Sequence, residues 1–337
     1  MTTTKPRALL FGLGGIGGIY AATLARSGAC DVSVVARSNY AAVKEKGLRL
    51  KSEKHGESHQ VFEGVYKSPA DAAASGPFDY VLCANKALLS AVPSLEETIA
   101  PAVTKNTAIV LLQNGVGNEV PLHKAFPENT IISAVVWTGG KVEKVGEDGV
   151  PTVSQFAREG LTMGVDYTSG LEKEEEDAKL ARLREILTAA NSDSIVVEDI
   201  QSARWVKVVW NCAWNALTTV TRLRTNQIFA SSPGASDFSR SIMNEVVAVA
   251  RAKGLDVPED TADDLMRQIN EVSGPGLPSS MMMDNEAGRP TEVEVILGTP
   301  MREGERLGVP VPILTTLYTI VKALDWRNAH LEEANFP

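Results

Sequence analysis

The stretch ALLFGLGGIGGIYAATLARSG, residues 8–28, sets five glycines among the seven residues 12–18, between an apolar run and a segment of helical character. Within it, Gly12-Leu-Gly14-Gly15-Ile16-Gly17 is a G-x-G-x-x-G that follows an expected strand and opens an expected helix. Each glycine in that position has its own reason. The first permits a tight turn, the second lets a pyrophosphate lie against bare backbone, and the third lets helix pack on strand, with the anion at the helix N-terminus. The pattern predicts a dinucleotide-binding turn rather than a plain glycine-rich loop. About 20 residues further on, NAD-binding versions place an acidic residue that accepts from the ribose hydroxyls. Here the end of the second strand reads Val34-Val35-Ala36-Arg37-Ser38, so a guanidinium stands where that carboxylate would be. Arg37 can pair with a 2′-phosphate, which points to NADP(H) over NAD(H), and Asp31 is at the wrong end of the strand to restore NAD.

Working outward, short apolar runs recur at residues 8–13, 32–36, 80–84, 108–112 and 131–136, each read as a buried strand alternating with helical patterns. That alternation is the mark of a parallel βαβ sheet. Residues 143–164, rich in Gly, Val and Thr, read as extra strands or hairpins; 172–190 as a charged helix solvated on one face; and 194–197 as a strand that closes the sheet. After Asp199 the period changes to 3.6 over 200–222, 236–253, 261–272 and 291–307, with Pro and Gly punctuation such as 273–278 between. The expected organisation is an α/β Rossmann-type domain for NADP over residues 1–198 and an all-α substrate and catalytic domain over 199–337.

The segment ARWVKVVWNCAWNAL, residues 203–217, is apolar nearly all round, which predicts a buried helix. Lys207, Asn211 and Asn215 interrupt it at i, i+4 and i+8, on one face that drifts by about 40° per step. Burying an ammonium and two amides without partners costs several kcal/mol, so these groups should line a polar cleft or ligand site, or else form an internal network between helices. A buried lysine suits a general acid, its pKa lowered by desolvation and raised by any nearby carboxylate. Thr291-Glu292-Val293-Glu294-Val295 offers one acidic residue that points inward, and Ser279 and Ser280 offer hydroxyls upstream, with Met281 to Met283 read as core filler.

Composition narrows the classes. The 337 residues, 44% of them hydrophobic, are enough for two globular domains. A balance of 33 Lys+Arg against 42 Asp+Glu leaves a net charge of −9, which argues against a nucleic-acid or membrane-surface partner. Three scattered cysteines without a CxxC give no disulfide framework and suit a reducing compartment. His55 and His59 are four apart but sit in a polar stretch with Lys54 and Gly56 that reads as a loop, so no metal is expected. No apolar run reaches the roughly 18 residues of a membrane span, and residues 1–7 are too short for a leader, so a cytoplasmic protein is expected.

Taken in order, these motifs resemble the ketopantoate reductase (2-dehydropantoate 2-reductase) family over nearly the whole chain. GLGGIGG at 12–18 matches the family's cofactor loop; Lys86 in Cys83-Ala-Asn-Lys86 matches its lysine after the third strand; and Asn114 in Leu112-Gln-Asn114-Gly-Val-Gly117 matches its cofactor- and substrate-facing asparagine. Trp205, Lys207, Asn211 and Asn215 fit the pattern W-x-K-x-x-x-N-x-x-x-N, and Ser279-Ser280-Met281 with Arg289-Pro-Thr-Glu292 fit the late S-S-M and R-x-T-E.

The resemblance implies NADPH-dependent reduction of 2-dehydropantoate to (R)-pantoate, towards pantothenate and coenzyme A, and a helical domain like the C-terminal domain of 6-phosphogluconate dehydrogenase. It implies catalytic roles for Lys207, as proton donor, and Glu292. Substrate contacts would come from Asn114, Asn211, Asn215 and Ser280, and cofactor contacts from Gly12, Gly14, Gly15, Ile16, Gly17, Arg37, Lys86 and Asn114. The partner implied is a small 2-oxo acid, and a homodimer is compatible with the family. Two departures stand out: residues 137–149 match no motif of the family, and Trp210 and Trp214 flank the stripe and would narrow a pocket. Paralogues act on other 2-oxo acids, so reduction of another branched 2-oxo acid, or an opine-type dehydrogenation, is the alternative. The presence of both Lys207 and Glu292 argues against a non-catalytic NADPH sensor.

Overall fold

The apolar runs form the middle of an eight-stranded sheet, where strands buried on both faces must be apolar along their whole length. In this computed structural model, which describes residues 5–156, 158–167 and 170–330, the strands in chain order are β1 (Arg7–Phe11), β2 (Asp31–Val35), β3 (Leu48–Ser52), β4 (Gly56–Gln60), β5 (Gly64–Tyr66), β6 (Tyr80–Cys83), β7 (Ala108–Leu111), β8 (Ile131–Val136), β9 (Gly139–Val142), β10 (Thr152–Phe156), β11 (Leu161–Asp166) and β12 (Ser194–Val196). The ends of the two expected domains, residues 1–4 and 331–337, lie outside the described residues. The large sheet has the order β12-β11-β8-β7-β6-β1-β2-β5. It is parallel from β5 to β8, but β11 runs antiparallel to β8. Among the described residues no crossover helix separates β8 from β11, and the chain comes back along its neighbour in the opposite direction.

Between β8 and β11 the chain leaves to build a second sheet, β4-β3-β10-β9. This sheet corrects the reading of the His55 and His59 stretch as a loop. Residues 48–60 form a β-hairpin with His55 in its turn and His59 on β4, and the buried His55 ring lies 3.6 Å from Glu159. The helix Gly15–Ser27 is buried continuously from Gly17 to Leu24 because it is covered on both sides. Ile19, Tyr20 and Leu24 share a core with Leu10 and Val34 of the large sheet and with Leu48, Leu50 and Val153 of the small one.

The chain divides into two compact units: Met1–Lys86, Ser90–Gln113 and Glu119–Ile200 form one, and Ala87–Leu89, Asn114–Asn118 and Gln201–Pro337 form the other. The second unit is helical among its described residues, with longer helices at Ile200–Thr221, Ala235–Ala252, Thr261–Asn270 and Pro312–Ala329. The helix expected over 291–307 is not regular. It begins at Val293, passes through a π-helical turn at Glu294–Gly298 and continues as Thr299–Leu307. Pro312–Ala329 escaped the periodicity reading; its first turn is set by Pro312 and by the Glu245 carboxylate, which accepts from the N–H groups of Ile313 (3.0 Å) and Leu314 (2.8 Å).

Gly18 decides a sign. Glycine to alanine inside an exposed helix gains about 1 kcal/mol. Here a Cβ would lie 2.6 Å from Cγ1 of Val153, a stiff side chain fixed in the small sheet. Gly18→Ala should therefore destabilise the protein by about 1–3 kcal/mol in denaturant unfolding; a neutral or stabilising result would show that the small sheet does not press on the helix.

Candidate active site

In the first unit, the parallel strands β2, β1 and β6 are neighbours whose ends are level, Val35 beside Phe11 and Phe11 beside Cys83. The chain leaves β1 for β2 on one side and reaches β6 on the other, the topological switch point at which open α/β sheets bind ligands beyond the carboxyl ends of their strands. Just past these ends stand Arg37, the Gly12–Gly17 turn and Lys86, with the Arg37 and Lys86 side chains exposed.

The glycines of the turn separate by what a Cβ would meet. Gly12 has φ +100° and its Cβ would strike the Asn85 backbone; that of Gly17 would strike the Gly12 carbonyl. The fold itself needs those two. Gly15 would approach the Gly140 carbonyl to 3.0 Å, because β9 lies against the turn. Gly14, the N-cap of the helix, is exposed and its Cβ would meet nothing within 4 Å, so no clash inside the protein requires bare backbone there. Ile16 packs on the core. The first turn of this helix offers N–H groups without intrahelical acceptors to an anion. These residues fit a dinucleotide phosphate.

In the second unit, helix Ile200–Thr221 carries Lys207, Asn211 and Asn215 along one face, as their spacing predicts. Asn211 and Asn215 are buried, at 7% and 5% exposure, and their Nδ2 atoms have no hydrogen-bond partner among the described residues. Of the acidic pair, Glu292 turns inward at 5% exposure, while Glu294 pairs with Lys322 (2.9 Å) and Arg302 (3.0 Å). The Glu292 carboxylate accepts from the Ala87 N–H (3.0 Å) and from Asn114 Nδ2 (3.4 Å). Lys207 is half-buried, and desolvation pulls its pKa down to about 8, against the opposing charge of Glu292.

Ser280, half-buried, is the first residue of the helix Ser280–Glu286, whose N-cap is Ser279. Met281 and Met282 are core, but Met283 is 46% exposed. The expectation that two tryptophans wall the stripe is corrected in part. Trp214 is a core side chain, edge-on to Phe229 at 5.4 Å, and Trp210 alone of the pair is partly exposed. Arg204 was missed by sequence reasoning. Buried one turn before Lys207, it donates to the Gly115 carbonyl (2.8 Å) and to Asn118 Oδ1, holding the loop that carries Asn114. Its signal was there to read, a second cation in the same apolar helix.

Because the Glu292 charge favours the ammonium, Glu292→Gln should move the Lys207 titration, followed by NMR of lysine-labelled protein, from about 8 to lower pH. An unchanged or raised midpoint would mean that the two groups do not interact.

The comparisons with known proteins agree along the chain. Two family profiles match, "Ketopantoate reductase PanE/ApbA" over residues 8–160 and "Ketopantoate reductase PanE/ApbA C terminal" over residues 199–325. The chain is 29% identical over 320 residues to the 2-dehydropantoate 2-reductase of Nostoc sp., covering 95% of each. It is 30% identical over 332 residues to that of Mesorhizobium japonicum, covering 94% of this chain and 96% of the relative. The crystal structure of 2-dehydropantoate 2-reductase from Methylococcus capsulatus superposes with a TM-score of 0.81 at 34% identity, over 96% of this chain and 98% of that one. With a Rossmann-type first unit, a helical second unit and this similarity from end to end, the chain belongs to the ketopantoate reductase family of oxidoreductases.

Proposed function

We propose that the protein catalyses the NADPH-dependent reduction of 2-dehydropantoate to (R)-pantoate. The observation that carries this reading is the polar face of helix Ile200–Thr221: a desolvated ammonium facing a buried carboxylate, followed by two buried amides with unused donors. A fold does not keep two unpaired buried N–H donors without cost, on the order of 1–3 kcal/mol each. Oxygen atoms of a bound 2-oxo acid would repay it. In this reading Ser280 binds the substrate carboxylate, Asn211, Asn215 and Asn114 hold its other oxygens, and the Lys207 ammonium donates a proton to the oxygen that becomes the alcohol. Glu292, fixed by Ala87 and Asn114, keeps that ammonium charged and aligned.

NADPH, when bound, supplies the hydride. Gly14 and the N–H groups of the first helical turn would hold its pyrophosphate, Arg37 its 2′-phosphate, and Lys86 adds positive charge at the same strand ends. We place the activity in the cytosol, in keeping with Cys30, Cys83 and Cys212, which are all buried thiols. A second reading, reduction of another branched 2-oxo acid, is favoured by Trp210, a partly exposed aromatic side chain within one turn of Lys207.

NADPH oxidation with a panel of 2-oxo acids, one of them aromatic, distinguishes the two. Ketopantoate should give a kcat/KM at least about tenfold above the rest, in keeping with the 1–3 kcal/mol that a fitted apolar pocket discriminates; a better substrate in the panel would transfer the assignment to that acid. Lys207→Ala should lower kcat by roughly 10²–10⁴ with little change in NADPH affinity, as for loss of a positioned general acid. In the wild type, kcat should decline as pH rises through about 8, where Lys207 loses its proton. A variant within about threefold of wild type would remove Lys207 from the chemical step. For the cofactor, Arg37→Ala should weaken NADPH binding by about 1–3 kcal/mol and leave NADH nearly untouched, whereas equal losses would take the 2′-phosphate away from Arg37.

A further inference from the structure

Thr218 lies eleven residues after Lys207 on the same helix, about 20° from it around the axis, and is fully buried. Its hydroxyl is 2.6 Å from the Trp214 carbonyl and 2.6 Å from the Ser279 hydroxyl, and Ser279 Oγ accepts from the Met282 N–H at 3.0 Å. A hydroxyl has one proton, and a carbonyl can only accept. Thr218 stands as donor to both the Trp214 carbonyl and the Ser279 hydroxyl, so its one proton is shared between them, while Ser279 Oγ also accepts from the Met282 N–H. The two hydroxyls link the backbones of two helices. A threonine in a helix commonly bonds the carbonyl four residues back, as Thr221 does to Leu217, and that habit needs no second helix. The bond to Ser279 is the addition.

Its effect is to pin Ser279 to the helix that carries the amides. Ser280 is the next residue, about 3.8 Å on by Cα, and Asn215 is three residues, about 4.5 Å of rise, before Thr218. We infer that Thr218 is a positioning residue for the carboxylate end of the substrate, setting the Ser280 hydroxyl in register with Asn211 and Asn215. The inference rests on the reading in which Ser280 binds that carboxylate.

The test uses Thr218→Val, which keeps the volume and removes the hydroxyl. KM for the best 2-oxo acid should rise about tenfold, with kcat changed less than threefold and both the NADPH dissociation constant and the pH at which kcat falls unmoved, the separation expected when ground-state binding alone is lost. Thr218→Ser should restore KM. Ser279→Ala should raise KM to the same degree, and the double variant should go no further, since one chain is cut in both; should Thr218→Val not fold, Ser279→Ala and Thr218→Ser decide the matter. If Ser280→Ala raises KM while neither Thr218→Val nor Ser279→Ala does, the positioning role is wrong and the carboxylate assignment survives. If Ser280→Ala leaves KM unchanged, the assignment itself fails and the inference with it.

Discussion

One desolvated ammonium sets conditions that reach through the second unit. Lys207 sits on a helix whose other faces are packed with Trp205, Val208, Val209 and Cys212, so its charge is expensive, and the loss of hydration shows as a pKa near 8. Glu292 offsets part of that cost, but a buried carboxylate brings a desolvation penalty of several kcal/mol of its own. It is met by the Ala87 N–H and by Asn114, which come from two short segments, Ala87–Leu89 and Asn114–Asn118, that leave the large sheet after β6 and β7 and pack with the helices. The half-buried cation is thus tied, through Glu292, to two segments far away in the chain.

Those segments need anchors, and the π-helical turn provides them. In a regular α-helix each carbonyl accepts from the N–H four residues on; a π turn shifts that pairing and changes which carbonyls are available. The Val295 carbonyl accepts from the Val116 N–H at 3.0 Å, and that of Ile296 accepts from the Cys212 thiol at 2.8 Å. Gly115 has φ +84° and lies so close to Val295 that a Cβ would collide with it, while Arg204 holds the Gly115 carbonyl from the other helix. The irregularity begins two residues after Glu292, and the loop bearing Asn114 docks on it. It is therefore part of how Asn114 and Glu292 come together rather than a defect in a helix.

What could be read in the sequence follows from which interactions are local. The strands β1, β2, β6, β7 and β8 stood out because burial on both faces forces continuous apolar runs, and the stripe of Lys207, Asn211 and Asn215 because helical spacing alone places it. Strands β3 and β4 did not. Leu48-Arg-Leu-Lys-Ser and Gly-Glu-Ser-His-Gln bury little beyond Leu48 and Leu50, and β3 is completed by β10, about a hundred residues later. The π turn was equally hidden, since Val-Glu-Val-Ile-Leu reads as a regular helix until Gly115 and Val116 are seen against it. Arg204 looked like one more charge until its carbonyl partner, far back in the chain, was in place.

The same comparison separates residues that serve the fold from residues that serve something the fold does not contain. Gly12 and Gly17 are glycine because a side chain would strike the protein's own backbone; Gly14 is glycine although a side chain would strike nothing. Thr218 and Ser279 are buried hydroxyls that find their partners inside the fold; Asn211 and Asn215 are buried amides with donors left over. Selection for stability alone would retain neither the uncapped glycine at the helix N-cap nor the unsatisfied amide, because a capping serine or asparagine at the first and an apolar residue at the second would cost less. These two exceptions fall in different units and have different chemistry, bare backbone at a helix N-terminus and N–H donors beside an ammonium. An anionic dinucleotide answers the first and an oxygen-rich anion the second, and neither argument borrows from the other.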